Sequence, residues 1–254
     1  MESSHVPAQW KTAIIIPIPK IAFPEAPADY RPLSIQPILS RLVEKEIVRA
    51  FLYPTFLKAP VSVALSDQFA FRPTGSTTAA LITLLHHITV LLRDNDHVTI
   101  ISMDYSKAFD TVRHSTLMDK TAQMNIPDNI YNWIVEYFDE RSHVTKFEGA
   151  VSPSSGINAS VVQGSALGPA AFIITASDLH PVNAHNKLVK YADDMYLLVG
   201  SGCHGTIQDE LNHIATLAAN NNLRLNPNKS SEMVVSRRGT KAPFASANRQ
   251  HTTS

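Results

Sequence analysis

The sequence contains a single cysteine, Cys203, among its 254 residues. An internal disulfide is therefore excluded, and so is the kind of cysteine cluster that holds structural zinc. No apolar run approaches the roughly 18 residues that a membrane-spanning helix requires, because the run at residues 13–19 is short and interrupted by two prolines. A signal-peptide pattern is also missing at the N-terminus. These absences predict a soluble, intracellular protein that does not act in a membrane.

The sequence also lacks an excess of charge, since 22 basic and 22 acidic residues give a formal net charge of zero. Proteins that bind duplex nucleic acid are usually basic overall, so composition alone gives that class no support. The basic residues are unevenly distributed, however, because six of them and only one acidic residue follow position 223. This tail either contacts phosphates or is a solvated terminal segment.

The composition is that of a globular chain, with 44% hydrophobic and 17% charged residues, and it predicts one compact unit with lobes or two small domains. Ten of the 16 prolines lie within the first 73 residues, which predicts strands, turns and short helices in that third. Apolar periodicity predicts a helix at residues 38–51 and a second one that begins at Ser76 or Thr77.

Two adjacent aspartates, Asp193 and Asp194, interrupt the apolar segment "LVKYADDMYLLVG" at residues 188–200. The β-forming flanks and the short polar break predict a strand, an acidic turn and a second strand. Two like charges about 4 Å apart repel by roughly 1 kcal/mol in water and by about 4 kcal/mol near a protein surface. The turn is therefore either fully solvated or a binding place for a cation.

A third aspartate, Asp104, follows the predicted strand in "HVTIISMDYSKAFDTV" at residues 97–112. The chain reverses there and becomes helical, so a carboxylate and outward-pointing N–H groups lie at the strand end. Such a place suits a cation together with a polyphosphate. The alternative is that Asp104 caps the following turn, which is the role we expect for Asp110.

Further motifs flank these aspartates in a fixed order, and the set resembles the reverse transcriptases of non-LTR (LINE-type) retrotransposons over roughly residues 10–236. The motifs are "WKTAIIIPIPK", "DYRPLSIQPILSRLVEKEI", "DQFAFRPTGSTTAAL", "MDYSKAFDTV", "VVQGSALGPAAFIITASDL", "YADD" and "NNLRLNPNKSSEMVV". An ordered set of this kind is far more specific than the tetrapeptide "YADD" alone.

The resemblance implies an α+β fold, in which a right-hand polymerase palm with an antiparallel sheet and helices on one face is joined to fingers. We expect a fingers-like region at residues 1–95, a palm with the catalytic motifs at 96–238 and a disordered tail at 239–254. The family's polymerases continue into a thumb that grips the primer and template. This chain stops after the last motif, so we expect the thumb to be absent and processive synthesis to be weak.

The resemblance also implies a metal site made of Asp104, Asp193 and Asp194. In the family such carboxylates hold two Mg²⁺ ions, with Mn²⁺ as a substitute, about 3.5 to 4 Å apart. The attacking 3′-hydroxyl of a primer and the triphosphate of a nucleotide would meet there. Lys229, in "NPNKS", matches the lysine proposed to protonate the departing pyrophosphate; the alternative is an exposed loop lysine.

Four further residues match nucleotide contacts of the family. Phe109 matches the ring beneath the incoming sugar, which excludes a 2′-hydroxyl, although an apolar residue filling the core is the alternative. Gln163 would contact the nucleotide, and Gly164 would allow close approach of the backbone, unless "QGS" is an ordinary turn. Arg72 matches the arginine that grips the triphosphate with a planar donor fork.

Lys20 and Arg31 are candidates for the same phosphates or for the template backbone, or they are simple surface charges.

The function implied is an RNA-directed DNA polymerase with an RNA template, a DNA primer and dNTPs as partners. The alternative is a catalytically silent remnant that binds nucleic acid without extending primers. An RNA-templated RNA polymerase is a third reading, against which Phe109 argues. A nuclear location has only the weak basic motif "RRGTK" in its favour, and the oligomeric state is not encoded in any recognisable pattern.

Overall fold

The computed structural model describes residues 4–58, 65–106, 108–161 and 164–239. The chain divides into two compact units that interleave in sequence: residues 1–63 with 109–175, and residues 64–108 with 176–254. The boundary expected at residue 95 does not coincide with this division. The fingers and palm boundaries therefore stay predictions, and the expected disordered tail lies almost wholly outside the described residues.

The described part of the chain contains helices and strands in mixed order. The helices are α1 Ala8–Lys11, α2 Ile38–Ile47, α3 Tyr53–Phe56, α4 Thr77–Asp94, α5 Ala108–Thr111, α6 His114–Ala122, α7 Asp128–Phe138, α8 Leu167–Thr175 and α9 Ile207–Asn220. The strands are β1 Thr12–Pro19, β2 Tyr30–Ile35, β3 His97–Met103, β4 Arg141–Phe147, β5 Ala150–Val151, β6 Ser155–Ile157, β7 Lys187–Tyr191, β8 Asp194–Gly200 and β9 Ser231–Ser236. None of the helices in the described ranges has the length and apolar character needed to cross a bilayer.

The first unit contains a sheet in the order β2-β1-β4-β5, and β6 also pairs with β4. β1 pairs antiparallel with β2 from Ile14 to Pro19, whereas it is parallel to β4 only over Thr12–Ile15. Beyond that point β1 has a neighbour on one side only. Prolines remove a backbone donor and are tolerated where a strand has a free edge, which explains how Pro17 and Pro19 fit into this strand.

A buried carboxylate joins two helices of the first unit. Glu44 on α2 is completely buried, and its Oε2 accepts hydrogen bonds from the N–H groups of Ala166 at 2.9 Å and Leu167 at 3.3 Å. The Ser40 hydroxyl donates to Glu44 Oε1 at 2.9 Å. A helix N-terminus leaves N–H groups without partners and carries partial positive charge, so Glu44 stabilises the start of α8, a helix in which every residue except Pro169 is buried.

The second unit contains an antiparallel sheet in the order β7-β8-β3-β9. Helix α4 packs on one face of it, where Ala80 of the helix meets Val98 and Ile100 of β3 and Leu198 of β8 in one apolar cluster. The Ser76 hydroxyl accepts from the Ala79 N–H at 3.0 Å, so the helix start predicted from the sequence is confirmed. The predicted helix at residues 38–51 is also confirmed, because α2 continues as a π-helix through residues 48–52.

Replacing Glu44 by Ala should destabilise the first unit. The substitution leaves two backbone donors at the start of α8 without an acceptor, and each such group costs about 1 to 3 kcal/mol. We expect urea denaturation to show a loss of about 2 to 4 kcal/mol in the free energy of unfolding, and a smaller loss for Glu44→Gln, whose amide oxygen still accepts.

The matched control is Glu46→Ala on the same helix, because this side chain is 58% exposed and its ion pair with Arg49 is loose at 3.7 Å. The free energy of unfolding of Glu46→Ala should fall by less than about 0.5 kcal/mol. Equal losses for the two alanine variants would contradict the role assigned to Glu44.

Candidate functional site

The two adjacent aspartates lie in a tight hairpin turn of the second unit. β7 ends at Tyr191 and β8 begins at Asp194, and these two residues pair across the hairpin. The loop between them is therefore Ala192-Asp193. Ala192 has a φ of 55°, whereas the φ of Asp193 is not positive. A positive φ at the first loop residue alone is the pattern of a type II′ turn. The strand, acidic turn and strand predicted from the sequence are confirmed.

The sheet register brings Asp104 to the same place. β3 ends at Met103, which pairs with Met195 of β8 in an antiparallel ladder. One step further along that ladder Asp104 lies opposite Asp194, and cross-strand neighbours have Cα atoms about 5 Å apart. Asp104 is 9% exposed, Asp193 is half-buried and Asp194 is exposed. Three carboxylates thus meet at one end of the sheet, although 89 residues separate Asp104 from Asp193.

A returning segment adds one cation to this group. The Asn226 N–H donates to the Asp104 carbonyl oxygen at 2.8 Å, and the short 3-10 turn Pro227–Lys229 follows. Lys229 Nζ lies 2.8 Å from Asp104 Oδ2. That oxygen accepts no well-aligned hydrogen bond within the described residues, so the contact is an ion pair. The lysine that the sequence singled out therefore contacts a predicted metal ligand.

The charges of the site shift the pKa values in a consistent pattern. Burial raises the pKa of Asp193, and the carboxylates of Asp194 and Asp104 raise it further. The pKa of Asp194 is also raised, first by burial and then by Asp104. Lys229 opposes both shifts, while its contact with Asp104 raises its own pKa. The cluster carries more negative charge than one ammonium group compensates.

The donor set matches a divalent ion in chemistry and charge, because hard cations prefer carboxylate oxygens. Within the described ranges, however, no group of three or more His, Cys, Asp or Glu side chains is arranged to hold a metal ion as it stands. The Lys229 ammonium already contacts Asp104. A bound ion would therefore displace this ammonium and draw the carboxylates together.

Arg72 belongs to the same unit as the three aspartates. Its Nη1 donates to the Leu65 carbonyl oxygen and to the Gln68 carbonyl oxygen at 3.1 Å, and the residue is half-buried. These bonds hold the segment that precedes α4 in a compact fold. Contact of Arg72 with a triphosphate stays a prediction.

The other predicted nucleotide contacts belong to the first unit. The Phe109 ring stacks on Phe172 at 4.7 Å between centroids, so part of the ring takes part in packing. Gly164 has a φ of 108°, and a Cβ there would lie 2.7 Å from the Ser34 carbonyl oxygen, so the position requires glycine. Gln163 lies outside the described residues. The roles of all three towards a nucleotide stay predictions.

Lys20 and Arg31 lie near the tip of the β1–β2 hairpin and are exposed. Arg31 pairs with Ile18 across the hairpin, and Lys20 Nζ donates to the Ala28 carbonyl oxygen at 2.8 Å. Both side chains therefore place a positive charge at the same end of this hairpin. Binding of phosphates by this pair stays a prediction.

Sequence reasoning did not single out Gln68, whose side chain reaches the acidic turn. Its Oε1 accepts a hydrogen bond from the Ala192 N–H at 3.0 Å, 124 residues away. The available signal was a polar pair, Asp67-Gln68, directly before the apolar residues of "FAF". A pair of this kind is common in turns, so it did not distinguish these residues from ordinary loop residues.

Comparison with known families agrees with this geometry. Residues 18–251 match the sequence model of the family described as "Reverse transcriptase (RNA-dependent DNA polymerase)". The chain belongs to the reverse transcriptase family. The resemblance found in the sequence is thereby confirmed, and reverse transcriptases in general use divalent metal ions.

Similar proteins come from mobile elements of insects. The probable RNA-directed DNA polymerase from transposon BS of Drosophila melanogaster is 30% identical over 88% of this chain and 26% of its own length. The RNA-directed DNA polymerase from mobile element jockey of the same species is 27% identical over 98% of this chain and 28% of its own length. The Pol polyprotein from type-1 retrotransposable element R2 of Popillia japonica is 26% identical over 69% of this chain and 24% of its own length. The chain thus spans about a quarter of the length of these relatives.

Solved structures with the same fold include telomerases. Apo telomerase from Candida tropicalis, truncated from the C-terminal domain, aligns with a TM-score of 0.66 at 12% identity over 92% of this chain and 52% of its own. Telomerase of that species in complex with a fragment of telomeric RNA aligns with a TM-score of 0.62 at 15% identity over 91% of this chain and 42% of its own. These likenesses confirm the predicted α+β polymerase fold of palm and fingers.

Replacing Asp193 by Asn should stabilise the metal-free protein, because it removes a partly buried charge that two neighbouring carboxylates also repel. We expect the free energy of unfolding in EDTA at pH 7 to rise by about 0.5 kcal/mol, a small gain because solvent screens a partly exposed charge. The raised pKa of Asp193 means that ionisation disfavours the folded state. The gain should therefore shrink as the pH falls towards the ordinary value of 3.8.

Urea denaturation at pH 7 and pH 4 measures this gain. The control is Asp119→Asn, which neutralises an exposed carboxylate on α6 and should change stability little at either pH. A loss of stability in Asp193→Asn at pH 7 would show that the carboxylates do not repel one another as the site requires.

Proposed function

We propose that this chain carries the nucleotidyl-transfer centre of an RNA-directed DNA polymerase. The observation that carries the proposal is the convergence of Asp104 with the Asp193-Asp194 turn at the end of one antiparallel sheet, a convergence set by the β3–β8 register. Its partners would be an RNA template, a DNA primer and dNTPs. Membership of the family and the polymerase names of the relatives support this reading.

Asp104 and Asp193 would hold two Mg²⁺ ions, or Mn²⁺ in their place, and Asp194 would complete the carboxylate group. When bound, such ions lower the pKa of a primer hydroxyl and neutralise the triphosphate. The carboxylates supply the negative charge that binds the ions. Burial and the neighbouring carboxylates raise the pKa values of Asp193 and Asp194 in the metal-free state, so a bound cation would favour their ionised forms, which supports the proposal.

In the reaction the primer 3′-hydroxyl would release its proton to solvent, its oxygen would form a bond to the α-phosphorus, and the bond from that phosphorus to the bridging oxygen of pyrophosphate would break. Lys229 holds a proton at Nζ, and its contact with Asp104 raises the pKa of this ammonium, so it is a weaker acid while the ion pair is intact. Once the ammonium leaves Asp104, Lys229 would give that proton to the departing pyrophosphate. Arg72, Lys20 and Arg31 would bind phosphates, while Gln163 and Gly164 would contact the nucleotide.

A catalytically silent protein that binds nucleic acid is the second candidate. One observation favours it: within the described part of the chain, the carboxylates are not arranged to hold a metal ion as they stand, and Lys229 contacts Asp104 instead. In that case the Asp104–Lys229 ion pair would permanently prevent a metal ion from binding to the three carboxylates. The two candidates differ in whether the chain extends a primer.

Primer extension decides between the two candidates. With an oligo(dT) primer on poly(A), dTTP and Mg²⁺, we expect slow, distributive extension by the unaltered chain. Asp193→Asn should abolish it, because two-metal chemistry depends on this carboxylate, whereas Asp119→Asn should retain it. Incorporation that survives Asp193→Asn unchanged would discredit the assigned site, and a lack of incorporation at any protein concentration would favour the silent protein.

Phe109 provides a separate test of substrate choice. If the ring excludes a 2′-hydroxyl, Phe109→Ala should increase the use of UTP relative to dTTP by about 10-fold or more, since a contact that rejects one small group is worth roughly 1 to 3 kcal/mol. The ratio of kcat/KM for UTP to kcat/KM for dTTP measures this substrate choice. Phe172→Ala removes the ring on which Phe109 stacks and serves as the comparison for lost packing. An unchanged ratio in Phe109→Ala would mean that this ring only fills the core.

A further inference from the structure

We propose that Gln68 is a positioning residue that holds the metal-binding turn in its active conformation. Its side chain is 1% exposed, and Oε1 accepts two hydrogen bonds, from the Ala70 N–H at 2.9 Å and from the Ala192 N–H at 3.0 Å. Ala192 directly precedes Asp193. One buried amide therefore joins the segment before α4 to the turn that carries the catalytic carboxylates, and this inference rests on the function proposed above.

The backbone of the turn needs such support. Ala192 has a φ of 55°, a conformation in which a residue with a Cβ is strained and which glycine adopts freely. Strained residues persist at functional sites when their surroundings hold them in place. The hydrogen bond from the Ala192 N–H to Gln68 fixes the orientation of the Tyr191–Ala192 peptide, and with it the direction in which the chain enters Asp193.

The main chain around Gln68 pairs with the outer edge of β7. The Lys190 N–H donates to the Asp67 carbonyl oxygen at 2.7 Å, and the Phe69 N–H donates to the Lys190 carbonyl oxygen at 2.9 Å. Because β7 is the edge strand of its sheet, these bonds use backbone groups that would otherwise face outwards. Gln68 therefore forms a parallel β-bridge with Lys190, and its side chain reaches the Ala192 N–H.

An ion cluster fixes this register. Lys190 is 1% exposed, and its Nζ lies 3.0 Å from Asp67 Oδ1 and donates to the Leu179 carbonyl oxygen at 2.7 Å. His180 Nδ1 lies 3.0 Å from Asp67 Oδ2. A buried ion pair contributes little net stability but restricts which groups can pair. If residues 67–69 shifted by one position along β7, the Lys190 ammonium would lose its contact with the Asp67 carboxylate. The ion cluster therefore determines where Gln68 lies.

The catalytic consequence follows from the sensitivity of the chemistry to position. A displacement of about 1 Å in a reacting geometry costs roughly 100-fold in rate. Without the Gln68 acceptor the peptide before Asp193 loses the restraint on its N–H group and is held by the pairing of Tyr191 with Asp194, so the carboxylate shifts when this peptide tilts. Gln68 is 1% exposed, so we expect no contact with a substrate, and its loss should lower kcat and leave KM for dTTP nearly unchanged.

The test uses Gln68→Met, which keeps the length of the side chain without an acceptor, and Gln68→Asn, which retracts the acceptor by one carbon–carbon bond. We expect each to lower kcat about 10-fold or more with KM for dTTP changed less than about twofold. In the double variant Gln68→Met/Ala192→Gly, glycine removes the strain, so most of the lost rate should return. Gln208→Met, at an exposed position on α9, is the matched control and should retain the full rate.

A second measurement does not depend on activity. Amide hydrogen exchange in the metal-free protein should be at least about 10-fold faster at Ala192 in both Gln68 variants, while Leu197 and Leu198 in the centre of β8 keep their protection. If the unaltered chain extends no primer, the proposed function fails, yet this exchange still decides the role of Gln68. Unchanged exchange at Ala192, general loss of protection in the sheet, or failure of glycine to restore the rate would each overturn the proposal.

Discussion

The proposed function depends on one unfavourable interaction, the mutual repulsion of three carboxylates at the end of a sheet. The antiparallel register of β3 and β8 leaves Asp104 opposite Asp194, and burial together with neighbouring charge raises the pKa of Asp193. A protein gains nothing in stability from such an arrangement. Functional sites are where folds retain unfavourable electrostatics, and a cation that binds to the cluster would turn the repulsion into affinity.

The rest of the second unit keeps this cluster in place. The apolar contacts of α4 with the sheet hold the strands that carry the aspartates. Lys229 supplies one positive charge from a surface turn, where it is free to move away. The Asp67–Lys190 pair, in contrast, is buried and fixed. Lys229 is thus suited to give way to a metal ion, whereas Lys190 is suited to a permanent structural role.

The sequence predicted those features that local patterns encode. The β-forming flanks of Asp193 and Asp194 predicted the hairpin, the apolar stripe and Ser76 predicted α4, and motif order predicted the family. The interleaved units could not be predicted, because no local pattern reveals which distant segments pack together. The contact of Gln68 with Ala192 was also missed, since a side chain that binds a backbone N–H 124 residues away leaves no periodic signal. Lys229 was identified, but its partner followed only from the returning segment.

Direct binding of Mn²⁺, followed by electron paramagnetic resonance, tests most directly whether the three carboxylates act as one site. The unaltered chain should bind Mn²⁺, and Asp104→Asn and Asp193→Asn should each weaken that binding by at least about tenfold, whereas Asp119→Asn should not. If Asp104→Asn binds Mn²⁺ as well as the unaltered chain while Asp193→Asn does not, the end of β3 contributes no ligand, and the convergence of these carboxylates has no functional meaning.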